Sequence, residues 1–446
     1  MINQFSNKFN FNRIIKFTLP SIIMMMFFSL YTIIDGIFVS NYVGTIALGA
    51  LNIIYPFQCL CIGLAIMVAA GGSAIVAKNL GENEMDKAKS LFTMFIFLEV
   101  IISIIVLVLG LIFQNKIIDL LGSSELQRPY ALSYYRIYLS FLPFIFLQNA
   151  FQTLFVTAGK PKLGLFLIFI AGITNIVLDY IFLSVVHMSI EGAALGTVIA
   201  CMIPSIVGMV YFTFNRKGIL YFVKFKFDFK NIRNALINGS SEMVTNLANA
   251  ITTFLFNMQC MKFYGEDGVA AITIVLYFQF LFTAVFFGYS TGIAPVMSYK
   301  YGNDNKKELR YIYSRSLLIV LIISIIGFSS SFFLIYPVTS LFSSSGSNVY
   351  NIVISNFKYY SLALLLFGTS IFASSYFTSL GNGVVSLVIS FSRTILFLTI
   401  SLIVLPLIFN EIGVWISVPV AEAIGVIVSV FCFIRYKRRY LFNSES

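Results

Sequence analysis

Long apolar runs alternate with short polar segments along the whole chain. A helix needs about 20 apolar residues to cross a bilayer, and each of these runs meets that length. The runs lie at 14–38, 48–77, 90–113, 133–157, 163–185, 192–213, 233–260, 269–298, 311–336, 352–378, 384–408 and 413–435. This pattern predicts an all-α polytopic membrane protein with twelve transmembrane helices.

One polar segment, residues 214–232, separates the first six runs from the last six. Basic and aromatic residues alternate in it, which is typical of a linker lying flat on anionic lipid. A short β-strand would show the same alternation. We therefore expect an N-lobe at 1–213, a cytoplasmic interfacial linker at 214–232, and a C-lobe at 233–446 that ends in a basic tail.

Composition agrees with a membrane protein, because 59% of the residues are hydrophobic and 11% are charged, whereas soluble domains have about 25% charged residues. The net charge of +11 comes from short loops, so we expect a lipid bilayer as partner and no nucleic acid. With the N-terminus inside, basic residues fall on the cytoplasmic side, apart from five on the outer side and one deep within a span: Lys116, Arg128, Arg136, Lys262, Lys358 and Arg393. This bias predicts that both termini are cytoplasmic.

The two halves of the chain repeat at a constant offset of 221 residues. Residues 44–57 align with 265–278, and the same offset pairs Gly71 with Gly292, Gly81 with Gly302, and Gly192 with Gly413. Each half has an even number of spans, so both insert in the same direction. We expect two six-helix lobes related by a pseudo-two-fold axis along the membrane normal.

Acidic side chains lie inside several apolar runs, where each costs about 2.5–3.5 kcal/mol on insertion scales. Asn175 and Asp179 are four residues apart, so they share one face of a helix. Asp35 lies in the first run. Such a cost is usually accepted for an ion site, a proton site or a paired charge.

An ordered set of motifs then carries a resemblance that covers essentially the whole chain. The set is Leu19-Pro20, Asp35-Gly36, Gly44 with Ala47–Asn52, Gly71-Gly72, Ala77–Gly81, Gly159-Lys160-Pro161, Asn175 and Asp179. In this order the motifs resemble the multidrug and toxic compound extrusion (MATE) family, nearest its bacterial MepA-like members.

The resemblance implies a monomeric antiporter of the bacterial cytoplasmic membrane that exports small organic cations and drugs in exchange for H⁺ or Na⁺, with no other cofactor. It implies a cation-coupling site at Asp35, Asn175, Asp179 and Thr197, with the Ala193 carbonyl contributing, which could hold Na⁺. Glu242 matches the first acid of a C-lobe pair found in some members. The tenth run has no carboxylate to match the second.

Two carboxylates in one lobe can take up a proton or Na⁺ together. Burial and their mutual repulsion both favour the protonated form. Binding of H⁺ or Na⁺ would remove the repulsion, let the helices repack, and expel a bound organic cation. The alternative is a purely structural hydrogen bond between the first and fifth helices.

Other polar residues within the spans have two possible roles. Arg393 needs a partner, which could be Glu422 or Glu242, and the remaining acid could bind substrate cations. Gln148, Asn149 and Gln152 could line a substrate cavity or form hydrogen bonds between helices.

Two competing functions have less support. A lipid-linked oligosaccharide flippase would need a wide cationic cavity, whereas the candidates here are mostly acidic. An enzyme would need a catalytic constellation, but the chain has a single histidine, His187, and lacks HExxH and P-loop patterns. We therefore expect a transporter and not an enzyme.

Overall fold

The computed structural model describes residues 5–441, apart from the side chains at positions 40, 45, 48 and 437–441. This part of the chain is helical almost throughout and contains no strand. The helices of the first half, α1 to α8, are Phe11–Tyr42, Thr45–Gly81, Met85–Ile112, Gln114–Leu120, Arg128–Ser140, Leu142–Thr157, Pro161–Asp179 and Ile190–Phe214. Those of the second half, α9 to α15, are Phe229–Tyr264, Glu266–Gly302, Lys306–Phe342, Asn348–Tyr360, Leu364–Ser379, Gly383–Phe391 and Phe397–Leu441.

The described helices form the twelve predicted spans. Nine helical runs are long and apolar enough to cross a membrane, and α5 and α6, which meet at a bend of 59°, form a tenth. The helix α9, with 36 residues, forms another span. It is more polar than the nine apolar runs because it packs along α2 between the lobes. The last run breaks at Asn410, where φ is 51°, so it provides two spans. The predicted all-α fold is confirmed.

Several helices begin at a polar side chain that caps their free N–H groups. Asn10 accepts a hydrogen bond from the Arg13 amide at 2.9 Å at the start of α1. At the start of α9, Asp228 accepts one from the Asn231 amide at 3.1 Å, which holds the pKa of its carboxyl below the usual value. Asn305 caps α11 in the same way. These helices therefore begin a few residues before the apolar runs, directly after the capping residue.

The lobes meet where α1 and α2 pack against α9 and α10. Glycines allow the helix backbones to touch. A Cβ atom at Gly71 would overlap the Ala235 carbonyl, and a Cβ atom at Gly239 would overlap the Met67 carbonyl. Small residues at such crossings permit close helix packing in a membrane.

The lobe contacts follow the predicted two-fold repeat. A Cβ atom at Gly81 would overlap the Tyr299 carbonyl, while one at Gly302 would overlap the Lys78 carbonyl. Gly81 and Gly302 are 221 residues apart, and so are Lys78 and Tyr299. The two-fold rotation thus exchanges one contact with the other, and the repeat in the sequence is also a repeat in the structure.

The linker between the lobes is neither helical nor a strand from residue 215 to 228. The alternative interpretation as a β-strand was therefore wrong. The Phe222 amide donates to the Phe212 carbonyl at 3.0 Å, and the Val223 amide donates to Thr93 Oγ1 at 3.1 Å. These N–H groups are thus bound by helices of the N-lobe, and no strand lies beside them in the described part of the chain. The next helix begins at Phe229, four residues before the predicted start of the C-lobe.

The segment before α1 is anchored to the C-lobe on the predicted cytoplasmic side. Lys300 is buried, and its ammonium group contacts Glu308 Oε2 at 2.9 Å. The same ammonium donates to the carbonyls of Ser6 and Asn7 at 3.3 and 3.2 Å. The Phe9 amide donates to Glu308 Oε1 at 2.8 Å. A buried ion pair of one lobe thus holds the N-terminal backbone of the other.

Candidate functional site

The predicted cation-coupling residues come from three helices of the N-lobe. Asp35 lies in α1, Asn175 and Asp179 in the last turns of α7, and Thr197 in α8. Asp179 and Asn175 are 0% and 1% exposed. Asp35 is partly buried, and its Oδ1 atom is fully enclosed. The carboxyl groups of Asp35 and Asp179 interact with each other, and Asn175 adjoins Asp35.

Backbone features place Asp179 against α8. The α-helix gives way directly after Asp179 to a wider π-helical turn, Tyr180–Val185, a feature found frequently at functional sites. Across from it, a Cβ atom at Gly196 would overlap Asp179 Oδ1. Only glycine at position 196 leaves room for the carboxylate in this position.

The polar atoms of the site have unused hydrogen-bonding capacity. Among the described residues, none offers a well-formed hydrogen bond to Asp35 Oδ1, to either Asp179 oxygen, to the Asn175 amide or to Thr197 Oγ1. A buried polar atom without a partner costs about 1–3 kcal/mol. Several such oxygens in one place form an environment that favours a proton or a hard cation such as Na⁺.

Ala193 lies one turn before Thr197 on α8, and its side chain is buried. The two residues therefore share a helix face. The participation of the Ala193 carbonyl stays a prediction.

Two tyrosines also belong to this region, and the sequence did not indicate the first of them. Tyr134 of α5 is 3% exposed and accepts a hydrogen bond from Gln58 at 3.3 Å. It adjoins Thr197 and lies within electrostatic reach of Asp35 and Asp179. From the other lobe, the Tyr277 hydroxyl lies 3.8 Å from the position of a Cβ atom at Gly36.

Tyr134 had no sequence signal beyond its place in a tyrosine-rich helix. Gly196 had one, because its four-residue spacing from Gly192 is the small-residue pattern of closely packed helices.

In the C-lobe, Arg393 pairs with Glu422. Arg393 Nη1 lies 2.6 Å from Glu422 Oε1, and both side chains are about 5% exposed. Of the two partners considered from the sequence, the structure selects Glu422. The arginine lies in a second π-helical turn, Ser392–Leu396.

Glu242 forms no ion pair with any other described residue. It lies within electrostatic reach of Arg393. A cavity of about 30 Å³ adjoins it, which is room for a water molecule or a small cation and not for a drug. Its lining is rich in hydroxyl groups: Thr245, Ser290, Thr291, Ser374, Ser375 and Ser390. The sequence did not indicate this group of hydroxyls.

The side-chain amides of α6 contact α1 and the backbone of α6 itself. Gln152 Nε2 lies 3.1 Å from Met25 Sδ of α1, Gln148 adjoins Tyr31 of the same helix, and Asn149 donates to the Ile145 carbonyl of its own helix at 2.8 Å. These contacts are typical of helix packing, and a substrate role for the three amides stays a prediction.

Glu99 of α3 is a further buried acid. It is 1% exposed, and neither carboxyl oxygen has a hydrogen-bond partner among the described residues. The residue 221 positions later is Val320, which is also buried. The side chain of Glu99 therefore points into the N-lobe.

Comparison with known proteins gives consistent matches. The MatE family model matches residues 20–181 and 243–403. The multidrug export protein MepA of Staphylococcus haemolyticus is 21% identical over 439 residues, which is 98% of this chain and 96% of that protein.

Two solved structures share the fold. One is the outward-facing conformation of a multidrug resistance MATE family transporter, with a TM-score of 0.89, 22% identity, and coverage of 96% of each chain. The other is a MATE protein in complex with MaL6, with a TM-score of 0.90, 21% identity, and coverage of 96% of this chain and 95% of that one.

Proposed function

Since the chain belongs to the MatE family, we propose that it is a secondary active exporter of organic cations and drugs that exchanges them for H⁺ or Na⁺. The similarity to MepA multidrug export proteins over nearly the whole chain supports this function. Transport would occur by alternating access between the two lobes. We infer a monomer in a bacterial cytoplasmic membrane with both termini inside.

The observation that carries the proposal is the cluster of unsatisfied oxygens around Asp35 and Asp179. With both carboxylates ionised, the cluster attracts a cation. When a proton or Na⁺ arrives, the repulsion between the two carboxylates falls and α1 can move against α7 and α8. Tyr277 links this movement to the C-lobe, because its hydroxyl lies beside Gly36. An organic cation held near the acids would lose its attraction and leave.

In the C-lobe, we assign Glu242 to a water molecule or a small cation in its cavity of about 30 Å³, and the Arg393–Glu422 pair to the scaffold. The pair is close to neutral as a unit, so Glu242 supplies the net negative charge of its cavity. A flippase for pyrophosphate-linked sugars would need the opposite polarity. Arg393, which lies deep within a predicted span, already has a carboxylate partner at 2.6 Å. We therefore do not favour the flippase alternative.

The test uses proteoliposomes loaded with a fluorescent organic cation. A pH jump or a Na⁺ jump is imposed on the wild type and on the variants Asp179→Asn and Asp35→Asn. We expect one of the two gradients to drive export, and each variant to abolish the gradient-driven part. The gradient that works identifies the coupling ion.

Glu125→Gln is the matched control, because it removes an exposed carboxylate from a loop. It should leave transport unchanged. Gradient-driven export that persists in both aspartate variants would contradict the assignment of the site. Failure of the wild type with every cation and both gradients would contradict the function itself.

A further inference from the structure

The second half of the interlobe linker is held against α3 at two points. The Val223 amide donates to Thr93 Oγ1 at 3.1 Å, and the Asp228 amide donates to Met94 Sδ at 3.3 Å. The four residues between these two points, 224–227, form a short arch that we call the linker arch. Because both ends of the linker arch are fixed, its side chains present a preformed surface, which lowers the entropic cost of binding a partner.

Two aromatic rings of the linker arch pack on an exposed ring of α3. Between ring centroids, Phe225 lies 5.5 Å and Phe227 6.0 Å from Phe97. After this packing, Phe97 is still 45% exposed and Phe227 49% exposed. Long side chains on a helix point toward its N-terminus, and the N-terminus of α3 is on the predicted cytoplasmic side. The three rings therefore lie toward the cytoplasmic end of this span.

The three rings continue a lipid-facing stripe of α3. Ile104 and Val108 follow Phe97 at helical spacings of seven and four residues, so the three side chains share one face of the helix. Ile104 is 48% exposed and Val108 is 46% exposed. Since α3 is long and apolar enough to cross the bilayer, its exposed apolar side chains contact acyl chains. The rings of the linker arch therefore lie where the acyl chains meet the headgroups, a depth typical of interfacial aromatic side chains.

The linker arch also carries positive charge that no acidic side chain neutralises. Lys224 and Lys226 alternate with the two rings and are exposed, and neither forms an ion pair or a hydrogen bond with another described residue. The single acid of the linker, Asp228, uses both carboxylate oxygens on Asn231. At a membrane surface, each lysine favours anionic lipid by about fivefold in affinity.

From this geometry we propose that the linker arch is a binding site for anionic phospholipids of the cytoplasmic leaflet. The rings of Phe225 and Phe227 lie at the boundary of the acyl chains, and the ammonium groups of Lys224 and Lys226 contact headgroup phosphates. The contact with Phe97 gives the lipid-bound linker expected from the sequence a defined depth and a defined pair of lysines. This role is separate from cation export, because it holds the connection between the lobes at the membrane surface.

The test measures contact between lipid and an introduced tryptophan. Phe227→Trp places an indole in the linker arch, and the protein is reconstituted in equal parts of phosphatidylglycerol and phosphatidylcholine, one of which is brominated and quenches indole fluorescence on contact. We expect stronger quenching when the phosphatidylglycerol is brominated. Phe229→Trp, at a ring that is 79% exposed, is a second probe beside the arch. The native Trp415 is 0% exposed and contributes a constant background.

Matched substitutions separate the lysines of the arch from the general charge of the protein. Adding Lys224→Gln or Lys226→Gln to Phe227→Trp should each lower the preference for phosphatidylglycerol about fivefold. Lys307→Gln removes an exposed lysine of the C-lobe on the same predicted side and should leave the preference unchanged. Phe333→Trp replaces a ring that is 79% exposed in a stretch of α11 without basic residues, and should be quenched equally by both lipids.

Three outcomes would overturn the proposal. Equal quenching of Phe227→Trp by the two lipids would make the linker arch ordinary lipid-facing surface without selectivity for charge. Absence of quenching by either lipid, at both Phe227→Trp and Phe229→Trp, would place the arch outside the bilayer surface. A preference for phosphatidylglycerol that survives the loss of both Lys224 and Lys226 would refute the contact between these lysines and the headgroups.

Discussion

The buried pair Lys300–Glu308 allows a sharp prediction about the conformational equilibrium of the lobes. It holds the carbonyls of Ser6 and Asn7 and the amide of Phe9. These are contacts between lobes on the predicted cytoplasmic side, so they must break when that side opens. Glu308→Gln keeps the shape of the side chain and removes its charge.

The size of the effect follows from the bonds involved. A hydrogen bond to a charged group contributes about 1.5–3 kcal/mol, and a neutral one about 0.5–1.5 kcal/mol. The Phe9 amide bond at 2.8 Å changes from the first kind to the second, and Lys300 loses its ionic partner. We expect the closed state to lose about 1–2 kcal/mol relative to the open state, a shift of about 5- to 30-fold in the equilibrium.

Spin-label distance measurements report this equilibrium directly. Nitroxides on cysteines at Asp86 and Lys307 mark exposed positions on the two lobes at the predicted cytoplasmic side. Glu308→Gln should increase the population with the longer distance. The native cysteines are buried or half-buried, so they react poorly with the label.

Glu84→Gln is the matched control, because it breaks an exposed ion pair with Lys87 within one lobe at 2.6 Å. Such pairs contribute about 0–1 kcal/mol, so the distances should not change. If Glu308→Gln leaves the distance distribution equal to that of the wild type, the anchored segment does not hold the lobes together and the argument fails.

Three further changes test individual sites. Gly196→Ala should displace Asp179, because the new Cβ atom overlaps Oδ1, and should abolish gradient-driven export in proteoliposomes while the protein still folds. Arg393→Met should lower the free energy of unfolding by about 3–5 kcal/mol in thermal unfolding, because it leaves the buried Glu422 without its ionic partner. Adding Glu422→Leu should restore most of that loss. Glu99→Val should stabilise by about 1–3 kcal/mol, because it removes a buried carboxyl without partners, and should leave export intact.

Each of these three has an outcome that would contradict it. For Gly196→Ala the control is Gly164→Ala, where the nearest atom to a new Cβ is 3.5 Å away and fits; equal activity in the two variants would contradict the role of the close contact. If the double variant with Arg393→Met and Glu422→Leu is no more stable than Arg393→Met alone, the ion pair is more than a neutral part of the scaffold. Loss of export in Glu99→Val would make Glu99 a second coupling carboxyl.

The amino-acid sequence alone determined the architecture of this protein, because bilayer thickness makes span length readable from apolar runs. The internal repeat could also be predicted from the sequence, through its constant offset of 221 residues. Backbone contacts such as Gly81–Tyr299 and Gly302–Lys78 depend on this register and not on the identity of most side chains. Asp179 could also be identified as a functional candidate, because a carboxylate inside a span has a cost that the sequence reveals.

Only the tertiary structure decided which side chains meet. It paired Arg393 with Glu422, placed Tyr134 near the two aspartates, and turned the α6 amides toward helices. Apolar patterning could not decide these points, because a span in lipid is hydrophobic on all sides and its periodicity does not mark an inner face.

The path of the interlobe linker was also invisible in the sequence. Phe222 of this linker stacks on Phe92, with 5.4 Å between the ring centroids. The reason is that the path of a linker depends on where its backbone N–H groups find acceptors. Those of Phe222 and Val223 find them on helices far away in sequence.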